Sequence, residues 1–306
     1  MEDKNEIMRD KFRGTLLGLA VGDALGAPVE FMTPRTIMQK LGIIGPLKDM
    51  VGGGWLNLKP GEYTDDTDMM LCIAESLAEN EVYNPDDIAR RFVDWYRSDP
   101  KDIGGTTRGA LARIGNGIPW QRAGDPDSPA NGSVMRCAPI GLFFAFDESK
   151  LMQASIETSS ITHASVEATM SCFLINLMIA KLVKGEDKQK AFEHSLETVR
   201  EEATYVEIFF DSERVPIDIS RGLASVAVRL ATSGLLSAFS LEESIVRVVN
   251  LGGDADTNGA VTGALAGAYW GASAIPEIWS SLLNPCSAQQ IMDLADKIFN
   301  LAIARK

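Results

Sequence analysis

Histidine, cysteine, net positive charge and regular strand alternation are all scarce in this chain, and each shortage excludes a class of function. There are 2 histidines and 4 cysteines in 306 residues. Cys72, Cys137, Cys172 and Cys286 lie far apart, form no C-x-x-C, and have neither His163 nor His194 beside such a pair. That argues against a zinc ribbon or finger. Cys72 and Cys172 sit inside apolar runs and read as small buried hydrophobes. Lys and Arg number 29 against 42 Asp and Glu, a net charge of −13. A surface so acidic does not displace counterions from DNA or RNA, nor does it dock on anionic membranes. A polyanionic small substrate stays open if metal ions supply local positive charge. No apolar stretch is long and charge-free enough to span a bilayer. Ile140–Phe146 and Met170–Leu182 read as buried helices instead. Met1–Lys11 shows no signal peptide, so the expected setting is reducing and cytoplasmic. The expected oligomeric state is a monomer.

What is present reads as an ordinary globular chain, 45% hydrophobic and 23% charged. Without linker, low-complexity segment or internal repeat, residues 1–306 are expected to form one compact all-α domain. Helical spacing of Phe12, Leu16, Leu19 and Asp23 marks Lys11–Leu25, which stops at Gly26-Ala27-Pro28. Asn84-Pro85-Asp86-Asp87 supplies an N-cap, a first-turn proline and dipole-facing acids, opening a helix that buries Ile88, Phe92 and Trp95. Ser240-x-x-Glu243 is a capping box before Ser244–Leu251. Ser287 caps Gln289–Ala304, with a stripe of Ile291, Leu294, Ile298 and Leu301. Further helical runs are expected around Thr107–Ile114, Ser133–Phe146, Ala164–Val183, Glu186–Glu201, Ser220–Thr232 and Ala260–Gly271. Only Glu207–Phe210 and Gly42–Leu47 suggest short extended pieces. Gly42–Tyr63 reads as a long irregular loop, and such a loop running into an acidic cluster suits a substrate-side lid. Gly14, Gly18, Gly22 and Gly26 line the first helix, and Gly259, Gly263, Gly267 and Gly271 a late one. Glycine costs roughly 0.5–1 kcal/mol relative to alanine inside a helix, so its repeated use suggests close backbone approach or tight core packing.

Two acidic clusters carry the chemistry. Thr64-Asp65-Asp66-Thr67-Asp68 and Gly252-Gly253-Asp254-Ala255-Asp256-Thr257-Asn258-Gly259 each crowd carboxylates and hydroxyls before an apolar, small-residue run. Either alone can be a helix N-terminus, where Thr caps and acids are favoured. Two nearly matching sets in one chain favour a shared binuclear site for hard cations such as Mg²⁺, Mn²⁺ or Ca²⁺. Asp68 falls one residue too far along, either an acceptor behind the ligands or a solvated acid. Glu30, beyond a helix C-terminus, gains nothing from the dipole and suits chemistry. His163, flanked by small and hydroxylic residues, is either structural or a substrate contact; His194 reads as structural or exposed. Asn131-Gly132-Ser133-Val134-Met135-Arg136 is a turn whose backbone N–H groups suit phosphate, or simply a loop-to-helix junction. Asp102-Ile103-Gly104 has the same character with an acid added.

In chain order, Gly18-Leu19-Ala20-Val21-Gly22-Asp23-Ala24-Leu25-Gly26 with Glu30, Tyr63-Thr64-Asp65-Asp66-Thr67, Asp102-Ile103-Gly104, Asn131–Arg136, Thr162-His163 and Gly252–Asn258 closely resemble the ADP-ribosylglycohydrolases, over roughly Lys11 to Ala304. The resemblance implies an all-α fold with a central cleft for two Mg²⁺ or Mn²⁺ ions. By motif position, Thr64, Asp65, Asp66, Asp254, Asp256 and Thr257 match the metal ligands. Glu30 matches an acid near the active site, and Asp102 the acid of the Asp-Ile-Gly motif. Asn131, Gly132, Ser133, Met135 and His163 match positions that hold ADP-ribose. No motif places an adenine-stacking aromatic; Trp120 and Tyr205 are candidates. The implied reaction releases ADP-ribose from a protein side chain, most simply arginine, with Asp65 or Asp102 activating water and Glu30 assisting proton transfer. The alternatives are another ADP-ribosyl linkage, a small ADP-ribosyl compound, or a noncatalytic ADP-ribose binder.

Overall fold

A computed structural model describes residues 2–202, 218–219, 221–284 and 286–306. Its helices are α1 (Glu2–Gly26), α2 (Pro34–Leu41), α3 (Asp65–Asn80), α4 (Pro85–Arg97), α5 (Gly105–Gly115), α6 (Ala138–Phe143), α7 (Glu148–Ser160), α8 (Val166–Val183) and α9 (Lys188–Glu202). They continue as α10 (Ala224–Ser237), α11 (Leu241–Val249), α12 (Ala255–Trp270), α13 (Glu277–Leu282) and α14 (Ala288–Ala304). The described residues contain isolated β-bridges but no strand, so Gly42–Leu47 is irregular rather than extended. Glu207–Phe210 and Tyr205 lie outside the described residues.

The glycine rows of α1 and α12 interlock, antiparallel, at the centre. Gly14, Gly18 and Gly22 face Gly267, Gly263 and Gly259, and Gly26 faces Ala255. A Cβ on Gly22 would sit 2.0 Å from the Gly259 carbonyl oxygen, and one on Gly263 1.9 Å from that of Gly18. The helical glycine cost therefore returns as backbone contact that no side chain permits. Because the pair is antiparallel, the C-terminal end of α1 meets the N-terminal end of α12, which brings Glu30 near the second acidic cluster.

Capping follows the local chemistry. The Asn84 side chain accepts from the amides of Asp86 and Asp87 at the start of α4, and Ser287 and Gln290 complete a capping box at α14. The buried face of α14 is Ile291, Ala295, Ile298, Phe299 and Ala302, with Leu294 and Leu301 at its edge, so the stripe is rotated from the expected one. On α4, Ile88 and Phe92 are buried as expected but Trp95 is half-buried. The expected helix over Ser133–Phe146 divides into a 3₁₀ turn, Val134–Arg136, and α6, because Pro139 suits only a first turn. Helices α2, α7 and α13 were not anticipated, although Thr33-Pro34 and Asp147 supply ordinary start signals. Helix α8 is long and apolar enough to cross a membrane by composition, yet 83% of it is buried inside the fold. It is a core helix.

Candidate active site

The first acidic cluster is the opening turn of α3, and its geometry is set by a buried carboxylate on α1. Asp23 is fully buried and accepts the backbone N–H groups of Thr64 and Thr67, each at 3.1 Å, and the Thr67 hydroxyl at 2.6 Å. The Thr64 Oγ1 lies 3.0 Å from Asp23 Oδ1 and 3.2 Å from Asp66 Oδ2. Two of the amides a helix N-terminus leaves unpaired are thus satisfied from another helix. Thr64 then has no side-chain capping bond of its own, so the simple N-cap reading fails here.

The second cluster is the opening turn of α12, braced by backbone. Gly253 N–H donates to Met32 O at 2.9 Å, Phe31 N–H to Gly253 O at 2.6 Å, and Asp254 N–H to Ile219 O at 3.2 Å. The Asn131 amide donates to Asp254 Oδ2 at 2.5 Å. Thr257 Oγ1 lies 3.5 Å from Asp66 Oδ2, joining the two clusters.

Between them opens a cleft of about 350 Å³. Its acidic wall is Glu30, Asp65, Asp66, Asp102, Asp254 and Asp256 with Thr257. It is also lined by Thr106, Thr107, Gly132, Met135 and His163, by Asn131 and Gly222 against Asp254, and by the exposed Phe31 and Trp55 at its mouth. Glu30, Asp102 and Asp256 each place a carboxylate oxygen within 4.8 Å of the others. Burial, then mutual repulsion, pushes the carboxyls of Asp65, Asp66 and Asp256 well above their usual range. The same causes, opposed by the Trp55 indole N–H at 2.5 Å, push Glu30 up to about 8. Burial and the Asp254 charge raise Asp102. The hydrogen-bond partners of these acids are hydroxyls, amides and an indole, and the buried Asp66 Oδ1 has no hydrogen-bond partner among the described residues. Such a donor set of anionic oxygens fits hard divalent cations, which would supply the missing charge.

A buried cation stands outside the cleft lining, near enough for its charge to act on Asp65. Arg136 is fully buried, with its guanidinium 4.4 Å from the Phe92 ring centroid, and it donates to Thr162 Oγ1 at 2.6 Å. Burial pulls it down to about 10, still charged near neutrality. Thr162 Oγ1 lies 2.8 Å from His163 Nδ1. An oxygen accepting from Arg136 has its own hydrogen free to donate, so this network assigns Nδ1 as acceptor and Nε2 as the protonated nitrogen. Burial, then the Arg136 charge, holds His163 neutral, with its pKa down to about 3.

The structure thus brings to one cleft Glu30, Asp65, Asp66, Asp102, Asn131, Gly132, Met135, His163, Asp254, Asp256 and Thr257. Thr64 stands behind the cleft, its hydroxyl turned to Asp23 and Asp66. Ser133 does not line it; the buried Ser133 hydroxyl accepts from Ser159 at 2.9 Å and Cys172 Sγ at 3.4 Å. Of the expected row of amides over Asn131–Arg136, that of Asn131 bonds Gly222 O and those of Val134 and Met135 bond Asn131 O. Asp68 is an acceptor for the Trp95 indole at 3.0 Å. Trp120 lies away from the cleft, donating to Asp86. Sequence reasoning missed the roles of Asp23, Phe31 and Trp55. Only Asp23 carried a signal, an acid on the apolar face of a glycine-rich helix.

Comparison with known proteins places this arrangement. Residues 4–306 match the family model described as ADP-ribosylglycohydrolase. The ADP-ribosyl-[dinitrogen reductase] glycohydrolase of Rhodospirillum rubrum is 34% identical over 300 residues, covering 96% of this chain and 97% of the relative. The ADP-ribosylarginine hydrolase Tri1 of Serratia proteamaculans (strain 568) is 32% identical, covering 96% and 80% respectively. A solved structure described as an ADP-ribosylglycohydrolase-related protein complex superposes with a TM-score of 0.82 at 33% identity, over 97% of this chain and 99% of that one. Family match, relatives and fold agree with the cleft: the chain belongs to the ADP-ribosylglycohydrolase family.

Proposed function

We propose that this protein hydrolyses the N-glycosidic bond between ADP-ribose and an arginine side chain, reversing mono-ADP-ribosylation, with residues 1–306 acting as one catalytic domain. The observation that carries the reading is the convergence of two acidic helix N-termini, Glu30 and Asp102 on one cleft, where burial and mutual repulsion oppose the charged forms of the carboxyls. The two relatives reported above are named for arginine and for dinitrogen reductase as ADP-ribosyl carriers, which supports a protein-linked substrate.

Asp65, Asp66, Asp254, Asp256 and Thr257 would hold two Mg²⁺ or Mn²⁺ ions, joined by Thr64 once its hydroxyl turns from Asp23 and Asp66 to the cleft, and the bound ions would supply Lewis-acid polarisation and positive charge. Asn131, Gly132, Met135 and His163 line the wall that would receive the ADP-ribose, and His163 Nε2–H is a donor suited to an oxygen of it. Glycosidic cleavage passes through positive charge at the anomeric carbon, which the carboxylate wall stabilises. Asp65 or Asp102 takes a proton from the attacking water. The C–N bond breaks, the guanidine nitrogen leaves with a proton, and Glu30, within 4.8 Å of Asp102 and Asp256, is placed to relay it. A partly enclosed cleft orients both reactants before the step.

The test is release of ADP-ribose from an arginine-ADP-ribosylated protein and from a serine-linked peptide, each with Mg²⁺, Mn²⁺ or EDTA. Cation-dependent release from arginine, lost with EDTA and reduced at least about 1000-fold in Asp256→Ala, is expected. Release that persists at the wild-type rate in Asp256→Ala would sink the reading.

A further inference from the structure

Two large aromatic rings stand exposed at the mouth of the cleft, where a folded protein has little reason to leave them. Phe31 is 66% exposed and Trp55 56% exposed, and both line the cleft. Their ring centroids are 5.9 Å apart and the rings are tilted by 41°. Single exposed apolar residues are ordinary; a paired, cleft-lining set is not.

Both rings are held in place deliberately by the backbone. Phe31 has φ +61°, a left-handed conformation in which a bulky side chain is strained. The strain persists because Phe31 N–H donates to Gly253 O while Gly253 N–H donates to Met32 O, tying the Phe31 backbone to the turn that opens the second acidic cluster. Trp55 belongs to the irregular segment between α2 and α3, and its indole N–H donates to Glu30 Oε2. Each ring is therefore locked to a different part of the acidic wall. Nothing in that arrangement serves core packing, since both rings face solvent.

Charge says what fits there. Trp55 meets Glu30, which lies beside Asp102 and Asp256, so the pair borders carboxyl oxygens able to accept the N–H groups of an occupant. A planar, delocalised cation gains twice, from the aromatic faces and from the carboxylates behind them. In the reading above the ADP-ribose takes the buried lining at Asn131, Met135 and His163, which leaves the exposed mouth for the other half of the substrate.

We propose that Phe31 and Trp55 form the platform that receives the departing side chain, taking the guanidinium of arginine on their exposed π faces and so setting which ADP-ribosyl linkage the protein accepts. This rests on the Proposed function for the location of the ADP-ribose. The platform acts on recognition of the leaving group, and the carboxylates act on the bond.

The experiment pairs binding with turnover in wild type, Phe31→Leu and Phe31→Tyr. Phe31 is the informative position because its side chain, unlike that of Trp55, makes no hydrogen bond to Glu30. Leucine keeps an apolar side chain in the same strained backbone and removes only the π face. Agmatine, a small guanidinium probe, and ADP-ribose are titrated separately by calorimetry, both with Mg²⁺ present. Phe31→Leu is expected to weaken agmatine binding and raise KM for an arginine-linked peptide by about tenfold, with kcat and ADP-ribose binding unchanged. Phe31→Tyr restores both. The proposal is overturned if agmatine does not bind the wild type, if its affinity is the same in Phe31→Leu, or if ADP-ribose weakens by the same factor, which would assign the rings to the nucleotide. An arginine-linked peptide that is not turned over by the wild type brings down the proposed activity instead. Agmatine binding that still depends on Phe31 would then uphold the platform alone.

Discussion

The two acidic turns look alike in sequence and are braced by opposite means. Thr64–Thr67 is held by a side chain, the buried Asp23 carboxylate, which collects two amides and two hydroxyls of that turn. Gly252–Thr257 is held by backbone, through the exchange between Gly253 and the Phe31–Met32 segment and through Ile219 O. The difference teaches where each half of the site is vulnerable. A side-chain brace tolerates neighbours but depends on one atom group; a backbone brace depends on the absence of a Cβ.

The largest effect expected from breaking this contrast is at Gly253. Its φ is +68°, and a Cβ there would sit 1.9 Å from the Ile219 carbonyl oxygen. Gly253→Ala is expected to lose about 3 kcal/mol or more of stability, read by urea denaturation, because strain and a backbone clash add. An unchanged midpoint would show that the turn relaxes freely. Next is Asp23→Ala, which strands two buried amides and two hydroxyls. A loss of about 2–3 kcal/mol and a drop of about 10- to 100-fold in cation affinity are expected, since Asp23 orients the turn without facing the cleft. Cation affinity equal to wild type by calorimetry would make Asp23 purely structural.

The smallest effect sharpens the comparison across the cleft. Glu30 is raised from its ordinary 4.5 to about 8 and Asp23 from 3.8 to about 6. In the cation-free protein the folded state then keeps protons that the unfolded chain releases. Their contribution is full below about 4 and is lost as pH rises towards 8. His163, lowered from 6.5 to about 3, runs the other way: between those values the unfolded chain binds the extra proton, so its contribution grows as pH rises and is complete above about 6.5. Above pH 6.5 the His163 contribution is complete while that of Glu30 still declines. With EDTA present, Tm is expected to decline from pH 6.5 to pH 8.5, and Glu30→Gln to flatten that decline. An identical slope in Glu30→Gln would remove Glu30 as its source. Cation binding should release protons over the same range, because the ligands bind deprotonated.

Much of the molecule was legible because its signals are local. Asn84-Pro85 and Ser287 mark helix starts through bonds a few residues apart, and they cap α4 and α14 as their chemistry dictates. The glycine rows of α1 and α12 announced close approach because each glycine carries a cost that only contact explains. Where reading failed, the deciding contact was distant in sequence. Ser133 turns to Ser159 and Cys172 rather than to the cleft, and Trp95 packs at the edge of the core with its indole N–H on Asp68 rather than fully buried. The phase of the α14 stripe was set by the surface it meets, which no periodicity contains.

By itself the sequence determined the residue types, their clustering and the order of the motifs: acids and hydroxyls grouped at two helix starts, and glycines at every fourth position. Those follow from spacing along one chain. Only the tertiary structure decided that the two starts share one cleft, that Asp23 rather than Thr64 satisfies the first turn, and that Arg136 sets the His163 tautomer through Thr162. It also decided that Phe31 and Trp55, 24 positions apart, stand together at the mouth. The physical reason is that burial, mutual repulsion and hydrogen-bond partnership belong to pairs of groups, and pairs distant in sequence exist only once the chain has folded.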